Sequence, residues 1–269
     1  MIVVKLGGNA IEGAGLRAIA EDLAAIAARG TRVVVVHGGG PQTSALQEKL
    51  GQTPLKIAGR RVTDEAALDA LKMAVGGKLN IDTCAALLAA GAHPVGLHGA
   101  SSRVIEAERR PPAVLRGGPP EPVDLGLVGD VTGVNRTLLE LLHRGGHIPV
   151  LACIGAAKDG TVFNINADVV ANQLAIELHA DALILVSDTP GLLRDVRDPS
   201  TRIARIREPE ALRMIDDGVI TAGMIPKVEE AFAAVRAGVG RVHVVGCIGH
   251  GDLARELEFP GAVGTVFVR

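Results

Sequence analysis

The chain of 269 residues balances 28 lysines and arginines against 30 aspartates and glutamates, for a formal net charge of −2, and 48% of it is apolar. That balance offers nucleic acid or an anionic membrane no electrostatic footing, and four phenylalanines with no tryptophan or tyrosine leave almost no platform for stacked bases. No apolar run approaches the roughly 18 to 20 residues of a membrane span, and Met1 leads directly into Ile2-Val3-Val4-Lys5 without a signal-like segment, so the sequence predicts a cytoplasmic protein.

The first β-branched run, IVVKL from Ile2, lacks polar alternation and reads as a strand buried on both faces. It ends in Lys5-Leu6-Gly7-Gly8-Asn9. A helix with apolar periodicity follows, LRAIAEDLAAIAA from Leu16, and then a second strand, RVVVVH from Arg32. That strand ends in His37-Gly38-Gly39-Gly40-Pro41 with a helix directly after it. Glycine leaves backbone N–H groups open and the helix start adds partial positive charge, so this turn predicts an anion site. A G-x-G-x-x-A pattern occurs at Gly13 to Ala18, but strand two closes on His37, not on the acid that a dinucleotide ribose requires. Gly76-Gly77-Lys78-Leu79 is not a phosphate-binding P-loop, because Lys72 stands five residues before Gly77 and no hydroxyl follows Lys78.

Further strands are predicted at HPVGLH from His93, HIPVLAC from His147, DALILVSD from Asp181 and RVHVVG from Arg241. Residues 101–131 have a different texture and predict a β-hairpin projecting from the sheet. Asn135 is suited to cap the helix that follows it. Strand and helix alternate throughout, which predicts an α/β fold, a three-layer αβα sandwich around a mostly parallel open sheet. Cys84, Cys153 and Cys247 are odd in number and widely spaced, and read as small buried residues. His98, His143 and His179 show no metal spacing.

Two later clusters could complete a site. Asp168, in Asn164-Ile165-Asn166-Ala167-Asp168, is either an ordinary first-turn carboxylate or a site residue. Lys227, in Gly223-Met224-Ile225-Pro226-Lys227, puts a cation at a helix start, against the dipole. It is either a solvated surface lysine or the partner of an anion.

KLGGNA from Lys5, VVVHGGGPQ from Val34, GRRVTD from Gly59, VDLGLVGDV from Val123, FNINAD from Phe163, LVSDTPGLL from Leu185, GVITAGMIPKVEEA from Gly218 and GTVF from Gly264 occur in one order along nearly the whole chain. Taken together, the sequence resembles the acetylglutamate kinases of the amino acid kinase family. The resemblance implies that MgATP phosphorylates the side-chain carboxylate of N-acetyl-L-glutamate in arginine biosynthesis, with ATP as co-substrate and Mg2+ as cofactor. It implies that Lys5 and Lys227 stabilise the transferring phosphoryl group, that Gly8 and Gly40 donate N–H bonds to it, and that Asp168 orients both lysines. Gly39, Gly40, Arg61 and Asn164 match acceptor-binding positions, with Arg61 as the fork for a substrate carboxylate, and the adjacent Arg60 leaves open which guanidinium serves. Ser187, Asp188, Thr189, Pro190, Gly191, Leu192 and Leu193, with Val219, Ile220, Thr221, Gly223, Met224 and Lys227, match the segments that wrap ATP.

By the same resemblance, residues 1–180 form an acceptor-binding and dimerising lobe with the hairpin as a lid, and residues 181–269 an ATP-binding lobe. A strand beginning at Ile2 stands where arginine-inhibited members carry an extra helix, which implies a homodimer insensitive to arginine. Ala222, the His98 to Ser102 stretch and GCIGHGDLARELE from Gly246 depart from the family's pattern. Two rival readings follow: a kinase of a carrier-protein-bound acceptor in lysine biosynthesis, docked by Arg60, Arg61, Arg103, Arg109, Arg110 and Arg116, and a non-catalytic ATP or amino-acid sensor.

Overall fold

Apolar runs without alternation need cover on both faces, and the chain supplies it by returning a helix after nearly every strand. In a computed structural model, residues 1–7, 12–195, 197–220, 224–246 and 249–269 are described, with the backbone alone of Pro226. The chain runs β1 (Ile2–Leu6), α1 (Gly13–Ala28), β2 (Val33–His37), α2 (Gly40–Lys49), a short hairpin of β3 (Lys56–Ile57) and β4 (Arg60–Arg61), α3 (Glu65–Leu71), a π-helical stretch (Lys72–Leu79) and α4 (Asn80–Ala89). It continues through β5 (Pro94–Leu97), β6 (Ile105–Arg109), β7 (Gly129–Val134), α5 (Arg136–Arg144), β8 (Ile148–Ala152), β9 (Ile154–Ala156), β10 (Val162–Asn164) and α6 (Ala167–Glu177). It closes with β11 (Ala182–Val186), β12 (Arg205–Arg207), α7 (Glu208–Asp216), α8 (Ile225–Arg236), β13 (Val242–Val245), α9 (Asp252–Glu258) and β14 (Thr265–Val268).

The central sheet has the order β12-β14-β13-β11-β1-β2-β8-β5. Neighbours are parallel except β13 and β14. All the strands read from the sequence lie in it. The short β12 and β14, which the sequence reading does not name as strands, complete one end. Val3, Val4, Val34, Val35, Leu183 and Ile184 are fully buried, each contributing about 1.5–3 kcal/mol of apolar transfer. α1 packs against α4 and α9, while α6 covers β1 and β11 and α8 covers β13. These are the outer layers of the expected αβα sandwich.

The predicted hairpin is β6 and β7, paired antiparallel, and a bridge between Ala113 and Val123 extends it. It is not isolated, because β9 and β10 join it in a second sheet of order β10-β9-β6-β7. Caps fix the helix starts. Asn135 accepts from the Leu138 N–H (3.1 Å) and Asn166 from the Asp168 N–H (2.9 Å). Asp22 of α1, itself buried, accepts from Gly251 and Leu253 (2.7 and 2.9 Å) and so caps α9 from across the layer. His143 is structural, its Nε2 lying 3.0 Å from the Val33 carbonyl. Among the described residues, no helix is long and apolar enough to cross a membrane.

Candidate active site

In a parallel sheet the carboxyl ends of the strands share one edge, and β1, β2 and β11 bring their following turns to it. Lys5 near the end of β1 reaches Asp168 in the first turn of α6, Nζ to Oδ1 2.9 Å, and both side chains are largely buried. Gly7 makes this possible, because a Cβ there would stand 2.3 Å from the Lys5 Nζ. After β2, Gly39 takes φ 152°, and a Cβ would meet Leu79 Cδ1 at 2.4 Å and Val75 Cγ2 at 2.8 Å. Gly40 opens α2 and has no heavy atom within 4 Å of where a Cβ would be. The helix start is therefore bare of side chain on that side, as an anion site requires. Gly8 lies outside the described residues.

These groups line a cavity of about 270 Å³ together with Arg61, Asn164, Cys153 and Lys56. Asn164 donates from Nδ2 to Thr63 Oγ1 (3.0 Å). All four predicted acceptor residues, Gly39, Gly40, Arg61 and Asn164, line the cavity, but Arg61 is arranged differently from the expectation. Its guanidinium donates to the Gly40 carbonyl (2.8 Å), to Ser44 Oγ (2.7 Å) and to Gln47 Oε1, so three of its bonds tie the β3–β4 hairpin to α2. Burial draws it below the usual guanidinium value. Arg60 does not line this cavity; it lines a neighbouring one of about 320 Å³ with Arg110. Lys56, which sequence reasoning missed, is register partner to Arg61. Like charges directly opposite on a hairpin are unfavourable without an intervening anion, and that pairing was the available signal.

His37 at the end of β2 is buried and accounts for the missing ribose acid. Its Nδ1 lies 3.0 Å from the Gly38 carbonyl and its Nε2 3.0 Å from Asn80 Nδ2, and burial, outweighing the Gly38 bond, lowers its pKa. It is a neutral core residue. Cys153 is buried, as read, and burial pushes its thiol up to about 12; Cys84 is only half-buried, against that reading, though burial raises its thiol as well; Cys247 lies outside the described residues.

β11 is hydrogen-bonded alongside β1, and the turn after it borders a second cavity, of about 560 Å³. Thr189, Gly191, Leu192, Leu193, Val219, Ile220 and Met224 line it, all of them positions that the resemblance matches to ATP-wrapping segments. Ser187, Asp188 and Pro190 are not among its lining residues, and Pro190 packs on Gly246, where a Cβ would come within 2.7 Å of it. Thr221 and Gly223 lie outside the described residues. Arg194, Asp195 and Arg197 also line the cavity, and the sequence reading did not single them out. Lys227, in the first turn of α8, donates to Ser187 Oγ (3.1 Å). Asp168 thus pairs with Lys5 and not, in this arrangement, with Lys227. Among the described residues, no group of three or more His, Cys, Asp or Glu could hold a metal ion.

A glycine-rich turn at a helix start, a partly buried lysine–aspartate pair and a separate cavity at the same edge of a mostly parallel sheet suit a phosphoryl-transfer class of protein, and the chain belongs to the Amino acid kinase family, whose profile its residues 1–246 match. Its relatives include proteins named acetylglutamate kinase. That of Sorangium cellulosum is 57% identical over 267 residues, spanning 99% of this chain and 94% of that protein. That of Anaeromyxobacter dehalogenans is 53% identical over 267 residues, spanning 99% and 98%. Among solved structures, N-acetylglutamate synthase from Neisseria gonorrhoeae complexed with coenzyme A and N-acetyl-glutamate superposes with a TM-score of 0.82 at 25% identity. All of this chain is covered, against 59% of that longer one.

Proposed function

We propose that the protein transfers the γ-phosphoryl group of ATP to the side-chain carboxylate of N-acetyl-L-glutamate, yielding ADP and N-acetyl-L-glutamyl 5-phosphate for arginine biosynthesis. The observation that carries this reading is the pair of cations at one edge of the sheet: Lys5 near the end of β1, lining the smaller cavity, and Lys227 in the first turn of α8, bonded to Ser187 just after the neighbouring β11. Near end-to-end identity with proteins named acetylglutamate kinase supports the choice of acceptor.

A carboxylate is ionised at neutral pH, so no base is required. Its oxygen forms the new bond to the γ-phosphorus, the bond from that phosphorus to the bridging oxygen breaks, and ADP leaves with the electron pair. What remains is positioning and charge neutralisation. Lys5, held by Asp168, and Lys227, held by Ser187, would flank the moving group, with N–H bonds from Gly8 and Gly40. Gly39, Asn164, Arg61 and Lys56 would hold the acceptor. Arg61 keeps part of its donor fork engaged with α2, so Lys56 adds N–H donors that Arg61 alone does not. Mg2+ would arrive on the nucleotide's phosphates and spread their negative charge.

We also assign the acceptor to residues 1–180 and the nucleotide to 181–269. A homodimer fits the exposed apolar residues Ile81 and Leu88 on α4, which neighbours the edge strand β5. A cytoplasmic location fits the same reading. The carrier-protein alternative is less well supported, because half of its six docking arginines are already closely paired with carboxylates: Arg103 faces Glu106 (3.3 Å), Arg109 Asp124 (2.8 Å) and Arg110 Asp130 (2.8 Å).

The test is hydroxylamine trapping of the acyl phosphate with MgATP and N-acetyl-L-glutamate, glutamate, aspartate or no acceptor. Signal with acetylglutamate alone is expected. Silence with every free acceptor, from protein that binds ATP, would overturn the assignment in favour of a carrier-bound acceptor or a sensor.

A further inference from the structure

The loop over residues 192–203 leaves the sheet after β11 and carries Arg194, Asp195 and Arg197 to the larger cavity. Its two ends are held together at the base. Ile203 N donates to the Leu192 carbonyl (2.8 Å), and Leu193 bridges Arg202. Both ends also meet one side chain. Thr265 Oγ1 accepts from Leu192 N (2.8 Å) and donates to the Ile203 carbonyl (2.6 Å), with Thr265 wholly buried. Gly191 lies against the same residue, for a Cβ there would stand 2.6 Å from Thr265 Oγ1 and 3.0 Å from its backbone nitrogen.

Thr265 is itself held firmly, because the segment before it is gripped from two sides. Glu256, wholly buried, accepts from the N–H groups of Gly261 (2.8 Å), Val263 (2.7 Å) and Gly264 (3.0 Å), and pairs with His243 Nδ1 at 2.7 Å. Arg202 donates to the carbonyls of Gly261 (2.9 Å), Ala262 (3.2 Å) and Gly264. Satisfying the polar backbone of a buried turn would explain Glu256 and Arg202 on structural grounds alone. Thr265 likewise satisfies two backbone groups, but the two groups it joins are the opposite ends of the loop that lines the cavity.

We propose that Thr265 is a positioning residue for the nucleotide, its hydroxyl pinning both ends of the 192–203 loop so that Gly191, Leu192 and the loop's arginines face the cavity in a preset arrangement. The proposal rests on the nucleotide assignment of that cavity. Preorganising a binding wall lowers the ordering cost at binding, so losing the pin weakens nucleotide affinity without touching the acceptor.

Thr265→Val keeps the shape of the side chain and leaves the Leu192 N–H without an acceptor, whereas Thr265→Ser keeps the hydroxyl. The readouts are binding of a fluorescent ATP analogue and the KM values for ATP and acetylglutamate. Thr265→Val is expected to raise the nucleotide Kd and KM about 5- to 20-fold, with the acceptor KM within about twofold, and Thr265→Ser to restore the nucleotide values. An unchanged nucleotide Kd in folded Thr265→Val, or an equal rise in both KM values, would overturn the proposal. If Thr265→Val does not fold, Arg202→Lys, at a partly exposed side chain, is read by the same split. Val219→Trp, which fills the cavity, tests the assignment beneath: an unchanged Kd there would remove the nucleotide from this cavity, whereas weakened binding there beside unchanged Thr265→Val would refute the pin alone.

Discussion

Replacing Lys227 by alanine should separate catalysis from stability. Lys227 is the third residue of α8, where a positive charge opposes the helix dipole at a cost of about 0.3–1 kcal/mol. Its Nζ donates to Ser187 Oγ at 3.1 Å, a bond worth about 0.5–1.5 kcal/mol net. The two terms nearly cancel, so the melting temperature should move by no more than about 4 °C. Transfer is another matter. An ammonium about 4 Å from a charged phosphoryl oxygen, at an effective dielectric constant of about 20, contributes about 4 kcal/mol. If most of that arises only in the transition state, kcat falls by about a thousandfold while the acceptor KM stays within about threefold. Hydroxamate formation at saturating MgATP and acetylglutamate, beside a thermal melt, measures both. Turnover within about tenfold of the parent protein would refute the role of Lys227 in neutralising charge on the moving group.

Asp168→Asn removes the partner of Lys5 and should lower kcat by about 10- to 100-fold with little change in the KM for ATP, by steady-state kinetics. Gly39→Ala forces a methyl group onto Leu79 and Val75 and should cost several kcal/mol, read as a lower denaturation midpoint and a raised acceptor KM. The Glu256 carboxyl is pushed up by burial but held at about 2 by the His243 bond and by the N–H groups of Gly264, Val263 and Gly261, which outweigh it. Because this folded value lies below the unfolded one, the contribution, about 3 kcal/mol, is complete above pH about 4.5 and lost as pH falls towards about 2. Glu256→Gln lacks it at every pH and should show a flatter acid limb in denaturation at pH 2–6. Ile81→Glu should turn a dimer into a monomer by light scattering, with the fold retained by circular dichroism.

Most of the strands were legible because they are dense β-branched runs ending at glycine or polar residues, and burial on both faces leaves such runs no alternation to hide; β5, PVGL at the sheet edge, is the half-exposed exception. β12 escaped because it is three residues long with arginine at both ends, and β14 because TVFV is too short to tell from a helical turn. At the site, the strand-end glycines and Lys227 stood out locally, since glycine runs before a helix and a cation at a helix start each break a local preference, whereas Lys5, inside a strand, was marked only by the resemblance. The bonding of Arg61 was not readable. Its partners lie 14 to 21 residues away on α2, and no local rule says that a hairpin arginine will turn towards a helix before it meets a substrate. Thr265 escaped for the same reason, being joined to Leu192 over 73 residues.

The place of β14 has a consequence for folding. Formed from residues 265–268, it lies between β12 and β13, which both precede it in the chain. Until β14 inserts, β13 has a bare edge, β12 has no neighbour in the sheet to dock on, and the pin on Leu192 does not exist. An unpaired edge is a template for pairing with another chain, so an intermediate in which β14 has not inserted should be the species most prone to aggregate.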